Sequence, residues 1–461
     1  MDSDKDTLIS QQRERLFSSL SVPPIVKPCK IGEGILVVNP AECQRYREAF
    51  LSDKSSIVFF IPSSGTGSRM FDFLQQFLGS SGQEQAEEAK LFLSKLSSFA
   101  FYANISEEWR RNIELKDFDL LSFCDYLLGS KGLHFSALPK ALFPFHRVDN
   151  RNYSPMERHL CQGRLFSGRI QSYHFTLQQE HFSLLQNFAM ELNEDFPFEV
   201  DFSVQSSKSD SYVFDEFQRV LFHSSGEYLK RPSGHGALIE NLNNLHSSLI
   251  FIKNIDNVQC PKQDNEVVAC WELLAGVFLT VKQKIGEILQ SKDIDALIAL
   301  NERYQVLDDL QLGESWETLT QVLLRPLRVC GMVRNEGMSG GGPFWIRDEG
   351  ILSKQIIEKS QIDPAQLSLL SESTHFNPVM IVASSFDAQD KPFNFDDFVR
   401  EDMSMAVKKN HFGNSVYYLE KPGLWNGSMF HWNSVFIEIP SRLFSPVKNV
   451  MDLLNPCHHC L

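Results

Sequence analysis

The chain has 461 residues, 43% of them apolar and 22% charged, and carries a formal net charge of -14 with no long Lys/Arg block. That length exceeds the usual single core, so one large domain with insertions or two apposed lobes is expected. The acidic surface excludes nucleic acid as a partner, and no window approaches the ~20 consecutive apolar residues of a membrane span.

A small phosphorylated substrate stays compatible with this charge, because a few local cations, backbone N–H groups and a bound metal outweigh distant surface charge. The polar Met1-Asp2-Ser3-Asp4-Lys5 start lacks a signal-peptide core. Nine Cys at irregular spacing read as reduced thiols. Together these give the expectation of a soluble, cytoplasmic protein. The 37 Phe read as core. Cys457-His458-His459-Cys460 reads as a frayed tail, since four adjacent residues cannot all wrap one tetrahedral zinc without strain.

In chain order, residues 1–50 read as an N-terminal appendage, with a Pro-containing stretch and the short apolar run 34–38. Ile57-Val58-Phe59-Phe60-Ile61 is a continuous β-branched and aromatic run, the pattern of a strand buried on both faces. Residues 71–130 read as a helical insertion, with 84–99 amphipathic and Ser106 as a cap ahead of two acids. A helix over 179–192 leads to the alternating strand 198–204, and 249–255 is the third clear strand. These complete an α/β core over 51–267. A helical block at 268–320 and a mixed α/β part at 321–461, richer in Gly, Pro, Asn and Trp, follow. Strands alternating with helices predict a mainly parallel sheet with ligands at the strand C-terminal ends.

Three stretches carry chemistry. Directly after the first strand comes Ser64-Gly65-Thr66-Gly67-Ser68-Arg69. Small residues let the backbone approach a phosphate, a following helix start offers free N–H groups, and Arg69 adds a cation. A plain tight turn with a surface Arg fits the same stretch. Leu138-Pro139-Lys140 holds a cation beside a rigid Pro, which suits a phosphate and equally suits a solvated Lys. Gly234-His235-Gly236 permits close contact with a base or sugar, and Asp256, past a buried strand, stands where Mg²⁺ is held against substrate phosphates. The Asp256-Asn257 pair is also a common turn dipeptide.

In this order the pieces resemble sugar-1-phosphate nucleotidyltransferases, particularly the uridylyltransferase branch, over residues 55–260. A likeness over nearly the full length is to a bacterial family built on a domain of unknown function (DUF4301-like). It rests on the Ser64–Phe71 loop, Leu138–His146, Gly234–Asn243, Phe251–Val258, Asn335–Trp345, Thr374–Val379 and Pro422–Gly427.

What the first resemblance implies is a Rossmann-like sheet of the GT-A nucleotidyltransferase type flanked by helices, and attack by a sugar-1-phosphate oxygen on the α-phosphorus of a nucleoside triphosphate. Arg69, Lys140 and Asp256 would be catalytic, with Mg²⁺ on Asp256. Residues 64–68, Gln205 and Gly234 to Gly236 would bind the nucleotide, and Asn335, Glu336 and Asn377 the sugar. Departures from that pattern are Ser68 ahead of Arg69 and a Pro-Lys about seventy residues beyond the loop instead of about ten, an insertion that costs little loop-closure entropy. A non-catalytic nucleotide or nucleotide-sugar binder and a glycosyltransferase are the alternatives on such a fold. The oligomeric state is left open.

Overall fold

The computed structural model describes residues 2–18, 24–65, 67–166, 169, 171–192, 198–338, 340–411 and 414–459. Nine strands, in chain order, frame the discussion: β1 (Lys30–Ile31), β2 (Gly34–Leu36), β3 (Ile57–Pro62), β4 (Gln171–Leu177), β5 (Glu199–Val204), β6 (Leu249–Ile252), β7 (Leu327–Met332), β8 (Met380–Ala383) and β9 (Asn433–Glu438). The chain forms two compact units that are discontinuous in sequence. Unit 1 is Met1–Phe60, Ser203–Ile252 and Trp271–Ile439; unit 2 is Ile61–Phe202, Lys253–Cys270 and Pro440–Leu461.

Unit 1 is built on a mostly parallel sheet in the order β1-β2-β9-β7-β8-β6-β3. Only β8 runs against its neighbours β7 and β6; the other pairs are parallel. The continuous apolar run of β3 is explained by this setting, since a parallel strand covered on both faces has no solvent side to alternate toward. On one face Phe251 of β6 stacks on Trp271 at 4.5 Å and meets Phe59 edge-on at 5.3 Å. On that face, Gly276 of the helix Asp264–Ser291 lies so close to Tyr46 of the helix Pro40–Ser52 that a Cβ would fall 1.9 Å from the Tyr46 carbonyl oxygen. The Pro40–Ser52 helix begins with Pro at N1 under an Asn39–Glu42 capping box. Residues 25–36, set apart by sequence as an appendage, supply β1, β2 and a further strand, Ile25–Pro28, that pairs with Gly342–Asp348.

Unit 2 explains much of the phenylalanine. Phe71, Phe92, Phe99, Phe101, Phe135 and Phe143 are all buried in one core beneath the helices Asp72–Gly79, Ala86–Ser94, Glu107–Leu115 and Leu120–Leu128. Phe99 and Phe101 stack at 5.0 Å, and Phe135 meets Phe143 edge-on at 4.9 Å, geometries that add to simple area burial. Ser106 caps its helix as expected, accepting from the Trp109 N–H. The 84–99 amphipathic stretch forms one helix only to Ser94, then a 3₁₀ turn over Leu96–Ser98. A hairpin, His146–Val148 with Arg151–Tyr153, turns through Asp149 (φ 49°) and Asn150 (φ 67°), two left-handed positions as a tight hairpin turn requires.

The C-terminal stretch is not frayed up to His459. Val447, Val450 and Leu453 enter the unit 2 core, and His458 is buried against His146 with ring centroids 5.1 Å apart. Three apolar anchors within seven residues outweigh the entropy of fixing the tail. Cys460 lies outside the described residues, among which no cluster of three or more His, Cys, Asp or Glu suits a metal. No described helix is long and apolar enough to cross a membrane.

Candidate functional site

Where β3 ends, the chain enters unit 2 through the glycine loop. Ser63 is fixed first, its N–H donating to the Thr176 carbonyl at 3.0 Å and its hydroxyl to the same oxygen at 2.6 Å. Gln178 Nε2 donates to the Ser64 carbonyl at 3.0 Å. Gly67 follows as a buried position where a Cβ would stand 2.7 Å from the Phe135 carbonyl oxygen and 2.8 Å from that of Leu138, so only glycine fits. Its N–H donates to Leu138 O at 2.9 Å and is therefore committed to the fold. Gly65 is exposed. Arg69 is exposed in the 3₁₀ turn Gly67–Phe71, and its side chain makes no hydrogen bond or ion pair among the described residues. Thr66 lies outside the described residues.

Lys140 comes to this loop. Its backbone N–H donates to Gly65 O at 3.2 Å, and its ammonium donates to Asp256 Oδ2 at 3.1 Å and to Val447 O at 2.8 Å. It is not solvated, being only 8% exposed. Asp256 sits past β6 on a segment held at both sides: the Ile255 N–H donates to Pro62 O and the Val447 N–H to Asp256 O, each at 3.1 Å. Asn257 Oδ1 accepts from Gln259 Nε2 and the Ser445 N–H. Loop, cation and carboxylate thus meet in one unit from three distant stretches of chain, with a backbone carbonyl from a fourth.

The remaining candidate residues belong to unit 1. Gln205 follows directly on β5 and is half-buried, its amide nitrogen without a hydrogen-bond partner among the described residues. Gly234 adopts φ +74°, with Glu420 filling the space a Cβ would take. His235 is packed under Trp425 (centroids 4.5 Å) and its Nδ1 accepts from the Leu424 N–H; burial pushes its pKa down to about 4. Gly236 touches Pro422 so closely that a Cβ would lie 2.0 Å from its carbonyl oxygen. Gly236→Ala is accordingly expected to destabilise by on the order of 3 kcal/mol, read as an earlier urea midpoint at unchanged slope.

Asn335 Oδ1 accepts from the Gly337 and Met338 N–H groups, so it shapes its own turn, and Glu336 is exposed. Asn377 Nδ2 donates to Glu358 at 2.8 Å while its Oδ1 is buried without a partner among the described residues. Beside them, at the ends of β7 and β9, Arg334 Nε donates to Glu438 Oε1 at 2.6 Å and buried His375 lies 3.6 Å from the same oxygen.

A family model described as a domain of unknown function, DUF4301, matches residues 2–459. The chain belongs to the DUF4301 family. No curated protein matches this DUF4301 chain. Among solved structures it is similar to the uridine diphosphate N-acetylglucosamine pyrophosphorylase of Trypanosoma brucei, crystallised with an inhibitor, at 14% identity and a TM-score of 0.50, covering 98% of this chain and 74% of that one. A UDP-glucose phosphorylase from Trypanosoma brucei aligns at 13% identity and a TM-score of 0.46, with 98% and 74% covered. At such identity the likeness is one of fold.

Unit 2 also holds a buried polar layer that motif reading missed. Arg158 Nη2 donates to both Asp264 oxygens at 2.6 and 2.7 Å, and Lys253 Nζ reaches Gln259 Oε1 at 3.3 Å. Desolvation, opposed by Asp264, pushes Lys253 from its ordinary 10.5 down to about 7. Between those values the unfolded chain binds a proton that the folded chain lacks, so stability rises with pH, by on the order of 1 kcal/mol per pH unit. Urea titrations of Lys253→Met should lose that rise between about pH 7.5 and 9.5.

Proposed function

We propose that this DUF4301 chain is a cytoplasmic nucleotidyltransferase on a GT-A type fold, joining a sugar-1-phosphate to a nucleoside triphosphate with release of pyrophosphate. The observation that carries the reading is the Lys140 ammonium, nine-tenths buried between Asp256 and the Val447 carbonyl, beside Gly65 at the mouth of the loop.

The chemistry asks little of a general base. A sugar-1-phosphate oxygen, already anionic, attacks the α-phosphorus; the new O–P bond forms as the bond to the β-phosphate oxygen breaks, and pyrophosphate leaves with its electron pair. The protein's part is positioning and charge neutralisation. An ammonium has three N–H donors. Two of those on Lys140 are engaged, which leaves one for a phosphate oxygen in a setting where water screens it weakly. Arg69, exposed at the start of the following turn, is suited to the outer phosphates. Gly65 allows close backbone approach. With the Gly67 N–H committed to Leu138, the cradle is smaller than the sequence alone suggests.

Asp256 is the carboxylate that would hold Mg²⁺. The residues fit that ion, because magnesium is usually bound through one or two carboxylates with substrate phosphates and waters completing its shell, and not by an all-protein cage. When bound it supplies neutralisation of the triphosphate charge. Within unit 1, Asn377, Glu336 and the Arg334–Glu438 pair are polar groups of the kind that bind sugar hydroxyls, with Asn335 shaping their loop, whereas the space about Gly234 to Gly236 is filled by Glu420, Trp425 and Pro422 and offers no room to a base.

The test is a panel of nucleoside triphosphates against sugar-1-phosphates, followed by pyrophosphate release. One pair should yield pyrophosphate stoichiometric with sugar consumed. Tight nucleotide binding with no pyrophosphate from any pair would favour a non-catalytic nucleotide-sugar binder, a reading that the closed Lys140–Asp256 pair and the committed Gly67 N–H also suit.

A further inference from the structure

Two cysteines of unit 2 stand where the segment that carries Asp256 meets the C-terminal stretch that supplies the Val447 carbonyl. The Cys260 N–H donates to Cys457 O at 3.0 Å. A direct backbone contact of this kind sets the two Cα atoms roughly 5–6.5 Å apart by standard bond lengths, inside the span of about 4.4–6.8 Å that a disulfide bridges. Both residues carry thiols, Cys260 buried and Cys457 half-buried. The Cys260 Sγ faces the C-terminal stretch, 3.2 Å from His459 O, and the Cys457 Sγ lies 3.4 Å from Arg442 O. A thiol is a weak donor, so turning these side chains toward each other gives up little.

The two segments touch at several points. Asp256 O accepts from the Val447 N–H, Asn257 Oδ1 from the Ser445 N–H, and Leu443 O from Gln259 Nε2 at 2.8 Å. Lys140 is held at one end of this seam, by Asp256 and Val447, and the cysteines stand at the other.

We infer that Cys260 and Cys457 form a reversible disulfide that locks residues 443–459 onto the Asp256–Cys260 segment, and with it the carbonyl that holds the Lys140 ammonium. The oxidant is a low-molecular-weight disulfide. The Cys457 thiolate attacks one sulfur of that reagent, whose S–S bond breaks and releases one thiol. The Cys260 sulfur then attacks Cys457 Sγ in the mixed disulfide and expels the second thiol. Two protein thiols are oxidised, and the reagent is reduced to two thiols that take up both protons. In a reducing compartment such a bridge is transient, which suits a sensor and not a permanent staple. Burial and Cys260 hold the Cys457 thiol above its ordinary value, against Lys262 and Arg442, so the exchange belongs at about pH 8.5. The inference rests on backbone contacts and does not depend on the transferase reading.

The test equilibrates the full chain with mixtures of oxidised and reduced glutathione, followed by acid quenching and peptide mapping without reduction. Peptides joined through Cys260 and Cys457 should accumulate as the mixture becomes more oxidising and separate again with dithiothreitol. Oxidation should slow trypsin cleavage after the exposed Arg442 and Lys448 roughly tenfold or more, because those bonds are cut when the stretch opens locally. Cys457→Ser should lose both effects and Cys460→Ser should keep both. Cys260→Ala serves in place of Cys457→Ser if the latter lowers the melting temperature of the reduced protein. Glutathione left on Cys457 with no bridge at any ratio, a bridge formed through Cys460 instead, or a Cys260–Cys457 bridge that leaves trypsin cleavage unchanged would each overturn the inference.

Discussion

Lys140→Ala is expected to lower turnover at least a hundredfold, the scale on which removal of one positioned donor to a developing charge acts, measured as pyrophosphate release with the active substrate pair. Its effect on folding is not negligible, as it would be for an exposed lysine. The ammonium holds Asp256 and the Val447 carbonyl together, and deleting one partner of a buried pair leaves the other desolvated. Because the Asp256 side chain keeps 19% of its exposure, the cost should be about 1–3 kcal/mol, below the full penalty of a sealed pair. Rates therefore belong at a temperature where both proteins are folded. Lys140→Arg keeps the charge and most of the stability, and its planar head should restore turnover only in part. A turnover loss that vanishes once the folded fraction is matched would remove Lys140 from the chemistry.

The second large effect is expected at Asp256. Asn has nearly the same shape and a neutral oxygen, so Asp256→Asn keeps the hydrogen bond from Lys140 while losing the charge. If the carboxylate holds the divalent ion, turnover falls roughly a hundredfold and the magnesium concentration needed for half-maximal rate rises, because the metal's charge stabilisation is worth several kcal/mol in a site of low dielectric. A fall in turnover at unchanged magnesium dependence would make Asp256 an orienter of Lys140 only. Wild-type turnover would reduce it to a turn residue.

Local chemistry made some of this legible in sequence. The β3 run had the pattern of a doubly covered strand, and the small residues behind it suited a tight loop. Pro139-Lys140 and Asp256 pointed to phosphate chemistry, and they do meet, across 116 residues. What could not be read was tertiary. Val447 acts through a backbone carbonyl 307 residues from Lys140, and no side-chain pattern marks it. The strands of residues 25–36 are two to four residues long, too short for periodicity to register. The single helix expected over 84–99 ends at Ser94, and the Leu96–Ser98 turn delivers Phe99 and Phe101 into an aromatic core assembled from residues 71–145. His235 looked ligand-facing in its glycine setting, yet Trp425 from a distant loop covers it.

The most direct test of the central claim is the fate of the α-phosphorus. With the triphosphate labelled at that atom and a sugar-1-phosphate present, the label should move into a nucleotide sugar while unlabelled pyrophosphate is released in equal amount, and Lys140→Ala should suppress the transfer. Label that stays in the triphosphate with every sugar-1-phosphate tried, or that appears only in a nucleoside monophosphate, would contradict the nucleotidyltransferase account.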